Sequence, residues 1–377
     1  MKIVIAPDSF KESLTALEVA NAIESGFKRV FSDAQYIKVP MADGGEGTVQ
    51  ALIDATNGKI VHTSVKGPLH ATVDSFYGIM GDGKTAVIEM AAASGLHLLN
   101  EDNKDAKFTC SFGTGQLIID ALEKGISKFI IGLGGSATND GGAGMLTALG
   151  AMLTDRNGDA LPPGGAHLHS VSNIDVSALH PKLSKASFQV ACDVTNPLCG
   201  VTGASAVFGP QKGASKQDIA LLDANLLHFG QKLEALTGKN IINFSGAGAA
   251  GGMAASLLAI CNATLQSGVE LVINTLALNE QVKGADVVIT GEGRIDSQTV
   301  FGKTPIGVAK VATNNNCPVI AIAGSVSADY EIVLQHGIDA VFPILSEPGN
   351  LADALANGAT NIERTAFNIA QTIKLTN

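Results

Sequence analysis

The 377-residue sequence has no tryptophan, only three tyrosines and an aromatic content of 5%. With so few large rings, aliphatic side chains must fill the interior, and the 46% apolar content supplies them. Charge is also scarce, at 16% of residues, and that balance excludes a disordered chain. The five cysteines, Cys110, Cys192, Cys199, Cys261 and Cys317, are odd in number and form no C-x-x-C pair, which argues against a disulfide framework or a structural zinc site. No H-E-x-x-H motif occurs, and His167 and His169, in a Pro/Gly stretch, read as solvent-facing rather than as metal ligands. No run approaches the ~20 apolar residues of a membrane span. Asp8 and Lys11 interrupt the first segment where a secretory signal would stay apolar, so the expected location is the cytoplasm. A net charge of −10 and a pI near 5.2 oppose nucleic acid or an anionic membrane as partner and leave a small ligand.

Glycine, by contrast, is abundant at 43 residues. Short α/β connections explain part of it; the rest suits loops that approach a phosphate closely through main-chain N–H groups. Apolar spacing predicts a strand over residues 2–6, a helix over 17–30, a strand over 36–39 and a helix over 48–55, the start of a parallel sheet. From about residue 59 the texture changes to short β-rich runs at 60–65, 72–80 and 85–89, read as hairpins. A strand at 129–131, another at 188–191, and helices at 216–236 and 249–259 follow. Strict alternation returns near residue 280, with a strand at 286–289, a loop from Gly291 to Gln298, and strands at 319–323 and 340–342. The expected architecture is α/β with two domains. Residues 1–60 and 280–377 form a discontinuous, doubly wound, Rossmann-like parallel-sheet domain, and 61–279 form an inserted mixed α/β domain.

Four loops are candidates for chemistry. Ala6-Pro-Asp-Ser-Phe-Lys11 follows the first strand, at the edge where open parallel sheets bind ligands. Asp8 or Ser9 can cap the next helix, and Lys11 is either a phosphate-holding point charge or solvated. Asp43-Gly44-Gly45-Glu46-Gly47 combines close main-chain approach with two carboxylates, which suggests Mg²⁺ at Asp43 and Glu46; a plain glycine turn, with Glu46 in the first turn of a helix, is the alternative. The stretch Gly132-Leu-Gly-Gly-Ser-Ala-Thr-Asn-Asp-Gly-Gly142 offers N–H donors beside the Ser136 and Thr138 hydroxyls. It also matches a dinucleotide loop of the G-x-G-x-x-A type with Asp155 as the downstream acid, although Asn139 and Asp140, expected in the first helical turn, sit poorly beside a pyrophosphate. In Gly291-Glu-Gly-Arg-Ile-Asp-Ser-Gln298, Arg294 and Asp296 are two residues apart, so an extended backbone directs both to one side, as joint ligand contacts or as a simple ion pair. Gly246-Ala-Gly-Ala-Ala-Gly251 reads as close helix packing. Gly302-Lys303-Thr304 is not a Walker A motif, because Ser297 stands where its first glycine belongs.

Six segments in order, Ile5-Ala-Pro-Asp-Ser-Phe-Lys11, Ala42-Asp-Gly-Gly-Glu-Gly-Thr48, the Gly132–Gly142 loop, Cys192-Asp-Val-Thr-Asn-Pro-Leu198, Val207-Phe-Gly-Pro-Gln-Lys-Gly213 and Thr290-Gly-Glu-Gly-Arg-Ile-Asp296, resemble the bacterial, class I glycerate kinase family. The resemblance extends along essentially the whole chain. It implies two α/β domains with a cleft between them and transfer of phosphate from ATP to D-glycerate, with 2-phosphoglycerate the usual product and the 3-phosphate the alternative. It also implies Asp193 as first choice for the base that deprotonates the acceptor hydroxyl and Asp296 as second, with Lys11 and Arg294 stabilising the transferring group or clamping the glycerate carboxylate. Gly134, Gly135, Ser136 and Lys212 would cradle phosphate or glycerate oxygens. Asp8, Ser9, Gly44, Gly45, Thr138, Asn139, Gly291 and Glu292 complete the implied substrate contacts. One departure stands out: Glu12 occupies a position where the family often has glycine. The rival readings are an NAD-dependent hydroxy-acid dehydrogenase and a non-catalytic small-ligand binder. Residues alone leave open whether identical chains assemble.

Overall fold

The structure, a computed structural model, describes residues 1–345 and 349–375. Its strands in chain order are β1 (Lys2–Ile5), β2 (Gln35–Lys38), β3 (Lys59–Lys66), β4 (Thr72–Ile79), β5 (Thr85–Glu89), β6 (Lys128–Gly132), β7 (Met152–Thr154), β8 (Asn173–Asp175), β9 (Ser187–Ala191), β10 (Thr264–Gln266), β11 (Val287–Ile295), β12 (Val319–Val326) and β13 (Ala340–Pro343). They divide between two compact units, Met1–Asn57 with Ser267–Asn377, and Gly58–Gln266.

The first unit carries a parallel sheet in the order β13-β12-β11-β1-β2. Aliphatic runs suit strands covered on both faces. Ile3 and Ile5 of β1 and Val287 and Ile289 of β11 pack with Ile23 and Phe27 of the helix Ala16–Lys28 and with Ile362 and Ile369 of the helix Gly358–Lys374. Val4 and Val288, on the opposite face by strand alternation, are also fully buried. The chain builds first to one side of β1 and later to the other, so the topological switch point lies between the carboxyl ends of β1 and β11.

Local details correct three expectations. The helix Ala16–Lys28 is capped by a Thr15/Glu18 capping box, so neither Asp8 nor Ser9 serves as its cap. The helix Thr48–Thr56 begins after Gly47, which leaves Glu46 outside its first turn. β11 does not stop near residue 289. It continues to Ile295 because β12 pairs alongside it as far as Ile295↔Val326. Its glycines permit that approach: a Cβ on Gly291 would lie 2.1 Å from the Ile322 carbonyl oxygen. Glycine composition suggests a loop, and cross-strand pairing overrides it.

Glu12 has φ 63°, the left-handed region that glycine adopts without steric penalty. A glycine at this turn would adopt that conformation without strain.

The second unit holds a mixed sheet in the order β10-β9-β6-β5-β4-β3 and a separate β7–β8 hairpin. β3, β4 and β5 form an antiparallel meander, and β5, β6, β9 and β10 run parallel. Phe129 of β6 and Phe188 of β9 stack with ring centroids 4.7 Å apart, fixing the centre of the core. The register Glu89↔Gly132↔Ala191 brings the ends of β5, β6 and β9 to one edge, so the loops that follow leave from the same side. The helix Ala249–Ile260 opens with three residues at positive φ, Ala250, Gly251 and Gly252. A Cβ on Gly251 would lie 1.9 Å from the Thr138 carbonyl oxygen, and the Gly141 amide donates to the Gly251 carbonyl at 2.9 Å. Gly246–Gly251 thus packs backbone against backbone on the Gly132–Gly142 loop. Among the described residues no helix is long and apolar enough to cross a membrane.

Candidate active site

In the first unit, three loops meet at the switch point. The Asp8 amide donates to the Gly291 carbonyl at 2.8 Å, and the Thr290 hydroxyl donates to the Ala6 carbonyl at 2.8 Å, tying the loop after β1 to β11. A Cβ on Gly293 would lie 3.7 Å from the Lys11 amide nitrogen, and one on Gly47 would lie 3.8 Å from Ser9 Oγ. Asp8 Oδ2 accepts from the Thr304 hydroxyl at 2.5 Å, and Oδ1 accepts from the Ser9 amide at 2.7 Å. Burial pushes the Asp8 carboxyl up to about 7; the Thr304 bond opposes the shift, and the charges of Asp43 and Glu292 add to it. Glu292 is itself buried, accepting from Thr299 at 2.6 Å with Lys303 Nζ at 3.4 Å, and burial raises its carboxyl as well against those two partners. The result is a knot of carboxylates with one lysine in contact.

Asp43 is half-buried and accepts from the Gly45 amide at 3.0 Å, whereas Glu46 is exposed. Gly44, at φ 89°, allows Gly268 to approach so closely that a Cβ there would lie 1.9 Å from the Asp43 carbonyl oxygen. Lys11 and Arg294 are exposed. Arg294 Nε lies 3.2 Å from Asp296 Oδ2, so the two side chains do turn to one side, as an ion pair. The other Asp296 oxygen accepts from the Gln298 amide at 2.9 Å. Lys303, Thr299 and Thr304 belong to this knot and were not among the expected site residues. Their signal was the Gly302-Lys303-Thr304 sequence, set aside because it fails the Walker A pattern.

In the second unit, Gly134 and Gly135 form the exposed tip of the loop after β6, with Gly135 at φ 73°. The residues behind them are buried. Lys212, 2% exposed, donates to Ser136 Oγ at 2.8 Å and to the Thr138 carbonyl at 2.7 Å. Burial pulls its ammonium down to about 7, against the opposing attraction of Asp140. Asn139 donates to Ser205 Oγ at 2.9 Å, while its Oδ1 is buried without a hydrogen-bond partner. Asn139 and Asp140 do not stand in a helical turn as expected; the helix Ala143–Ala148 starts beyond them. Asp140 is the hub of the loop, accepting from the Ser111 amide and hydroxyl, both at 2.8 Å, and from the Gly142 and Gly144 amides at 3.0 and 3.2 Å. Asp193 is exposed on the loop after β9, whose preceding residue pairs with the β6 end through Ala191↔Gly132. The Thr138 hydroxyl faces inward, 3.5 Å from the Ala250 carbonyl, so it braces the loop.

Comparison with known proteins decides the family. A family model described as the glycerate kinase family matches residues 3–374. The chain belongs to the glycerate kinase family. It is 57% identical over 373 residues to the glycerate kinase of Haemophilus influenzae, covering 99% of both chains. It is 55% identical over 375 residues to the glycerate 2-kinase of Escherichia coli K12, covering 100% of this chain and 98% of that one. A crystal structure from Salmonella typhimurium LT2, described under the name glycerate kinase 2, superposes with a TM-score of 0.93 at 52% identity, covering 100% of this chain and 99% of the other. As a glycerate kinase family member the chain is a kinase.

The dinucleotide reading fails on the structure as well. Asp155 follows β7, outside the six-stranded sheet, and accepts from the Asn157 and Asp159 amides at 2.8 and 3.0 Å within its own turn. A ribose-binding acid would end a strand beside β6 in the same sheet. The glycerate kinase assignment implies ATP as the phosphate donor. Among the described residues no three His, Cys, Asp or Glu side chains form a ready cage. Mg²⁺ characteristically takes only one or two carboxylates beside water and phosphate oxygens, and Asp8, raised chiefly by burial and further by the charges of Asp43 and Glu292, stands where added positive charge is favoured. The residues therefore fit the ion.

Proposed function

We propose that the chain transfers the terminal phosphoryl group of ATP to the 2-hydroxyl of D-glycerate in the cytoplasm, giving ADP and 2-phosphoglycerate. One observation carries the reading beyond family membership. The first unit concentrates carboxylates, with Asp8 held up at about 7 by burial and, to a lesser degree, by the charges of Asp43 and Glu292, and the second buries a lysine brought down to about 7 beneath a glycine loop. The first unit is short of positive charge, which a magnesium ion supplies, and the glycine loop of the second is short of negative charge, which a phosphate supplies. The five free cysteines accord with a reducing compartment.

In this mechanism Asp43 and Glu46 would hold Mg²⁺, which when bound would supply positive charge to offset that of the phosphate oxygens. The Gly134–Gly135 tip and Ser136 bind phosphate through main-chain N–H and hydroxyl groups, with Thr138 and Asn139 shaping the loop behind them. Lys11 and Arg294 clamp the glycerate carboxylate or offset charge on the transferring group. Gly44, Gly45 and Gly291 let the backbone come close, while Asp8, Ser9 and Glu292 set the local potential. Asp193 orients and deprotonates the acceptor hydroxyl. Asp296, whose two oxygens Arg294 and Gln298 engage, is the second candidate for that role. Phosphorus NMR of the products formed from ATP, Mg²⁺ and each glycerate enantiomer tests the proposal. The expected spectrum shows ADP and 2-phosphoglycerate with the D enantiomer alone; a 3-phosphate signal, or no ADP with any hydroxy acid, would overturn it.

A further inference from the structure

We propose that Lys212 is a positioning charge held beneath the glycine loop, giving the Gly134–Gly135 tip its affinity for phosphate without touching the phosphate itself. This deepens, and rests on, the reading of that loop as the phosphate site. A lysine that grips a ligand directly presents its ammonium to solvent; Lys212 is 2% exposed and directs its N–H groups to Ser136 Oγ and the Thr138 carbonyl, on the inner side of the loop. The segment that carries it is locked. It ends a short 3₁₀ turn, Pro210–Lys212, and is followed by Gly213 at φ 87°, where a Cβ would lie 2.3 Å from the Lys104 carbonyl oxygen. The loop above is equally fixed. Leu96 donates to the Gly135 carbonyl at 2.9 Å, Ala137 donates to the Ser94 carbonyl at 2.9 Å, and the Thr109 hydroxyl donates to the Ala137 carbonyl at 2.9 Å.

The ammonium is therefore fixed in place beneath the loop and lacks a dedicated counter-ion. Asp140 is the charged group that faces it, but four N–H and O–H donors from Ser111, Gly142 and Gly144 already converge on that carboxylate. Lys107 and Asp218 compensate one another, 2.8 Å apart. An ammonium buried without a paired carboxylate is unfavourable, and an anion at the exposed tip relieves that cost. By linkage the effect is reciprocal: an anion on the tip raises the proton affinity of Lys212, and loss of that proton weakens the anion. Burial already brings the ammonium to about 7, so the exchange falls within an accessible pH range.

The test uses the full chain and sulfate, whose own charge does not change between pH 6 and 9. Lysine ε-carbons are labelled and titrated by NMR with and without sulfate, the Lys212 resonance being assigned by its displacement in Ser136→Ala. One lysine should titrate far below the others and move upward on sulfate addition. Calorimetry should show sulfate binding that weakens about 10-fold from pH 6 to pH 9, a coupling within the usual range between linked sites. In Lys212→Met the affinity at pH 6 should drop by about the same factor and its pH dependence should vanish. If that variant does not fold, the wild-type titration still decides. A Lys212 resonance that titrates with the surface lysines, or that ignores sulfate, overturns the inference. Turnover of ATP and D-glycerate is assayed on the same wild-type sample: turnover with an unresponsive Lys212 sinks this inference alone, whereas no turnover sinks the functional reading and leaves the titration to be judged separately.

Discussion

The two units solve opposite electrostatic problems. The first gathers Asp8, Asp43 and Glu292 at the carboxyl ends of a parallel sheet, with Glu292 buried, Asp8 and Asp43 half-buried and Lys303 in contact with Glu292. In the second, the Gly134–Gly135 tip presents backbone to the outside, while the charges behind that loop, Asp140 and Lys212, are buried. Burial acts on both, raising a carboxyl from the ordinary 3.8 and lowering an ammonium from the ordinary 10.5, and each arrives at about 7. The comparison teaches that burial can bring a carboxyl and an ammonium to the same titration range from opposite directions.

The largest effect that would break this division of labour concerns the exposed carboxylate of the second unit. Asp193→Ala should lower kcat by roughly 10²- to 10⁴-fold with the fold intact, the loss typical of a missing general base. Near-normal turnover in that variant, with loss in Asp296→Ala instead, would move the base to the first unit. Next comes the framework. Gly251→Ala places a Cβ 1.9 Å from the Thr138 carbonyl at φ 65° and should destabilise the chain by about 3 kcal/mol in denaturant melts, combining left-handed strain with overpacking. An unchanged melt would mean that the glycine loop is not pinned from behind.

A smaller effect distinguishes the units by pH. The folded chain holds the Asp8 proton above its ordinary value, so that group's contribution to stability is full below about 3.8 and is lost as pH rises through about 7. A cation that takes up the exposed charge reverses the loss. Mg²⁺ should therefore raise the melting temperature more at pH 8 than at pH 6, by about 1 kcal/mol or roughly 2–3 °C. Equal shifts at both pH values would remove Asp8 from the metal's surroundings. The smallest effect belongs to the turn after Lys11. Glu12→Gly relieves φ 63° but frees the unfolded chain, so stability should change by less than about 1 kcal/mol. A larger change in chemical denaturation would mean that the Glu12 side chain contributes more than its backbone geometry.

Much of this was readable in the residues. Aliphatic runs ending in Asp8, Gly132 or Cys192 marked strands and the edge at which their loops emerge, because a parallel strand buried on both faces writes an uninterrupted apolar signal. The acidic character of the Asp43 loop and the same-side disposition of Arg294 and Asp296 were equally visible. What the residues concealed was contact at long range. The extension of β11 through Gly291 and Gly293 depends on β12, more than 20 residues away, and glycine content pointed to a loop. The inward turn of Lys212 depends on Ser136 and Thr138, more than 70 residues before it. Asp140 was read as a helix residue because Gly/Ala periodicity does not reveal where a turn ends. The dinucleotide pattern misled because it tests spacing, and Asp155 has the spacing but lies outside the required sheet.

The most direct test of the opposed charges is the pH dependence of magnesium-ATP binding, measured by calorimetry from pH 5.5 to 9 on the wild type, Asp8→Asn and Lys212→Met. Differences between proteins cancel the nucleotide's own titration. The proposed function predicts a maximum near neutrality, with Asp8→Asn flattening the acid limb and Lys212→Met flattening the alkaline one. Both limbs surviving in both variants would contradict it.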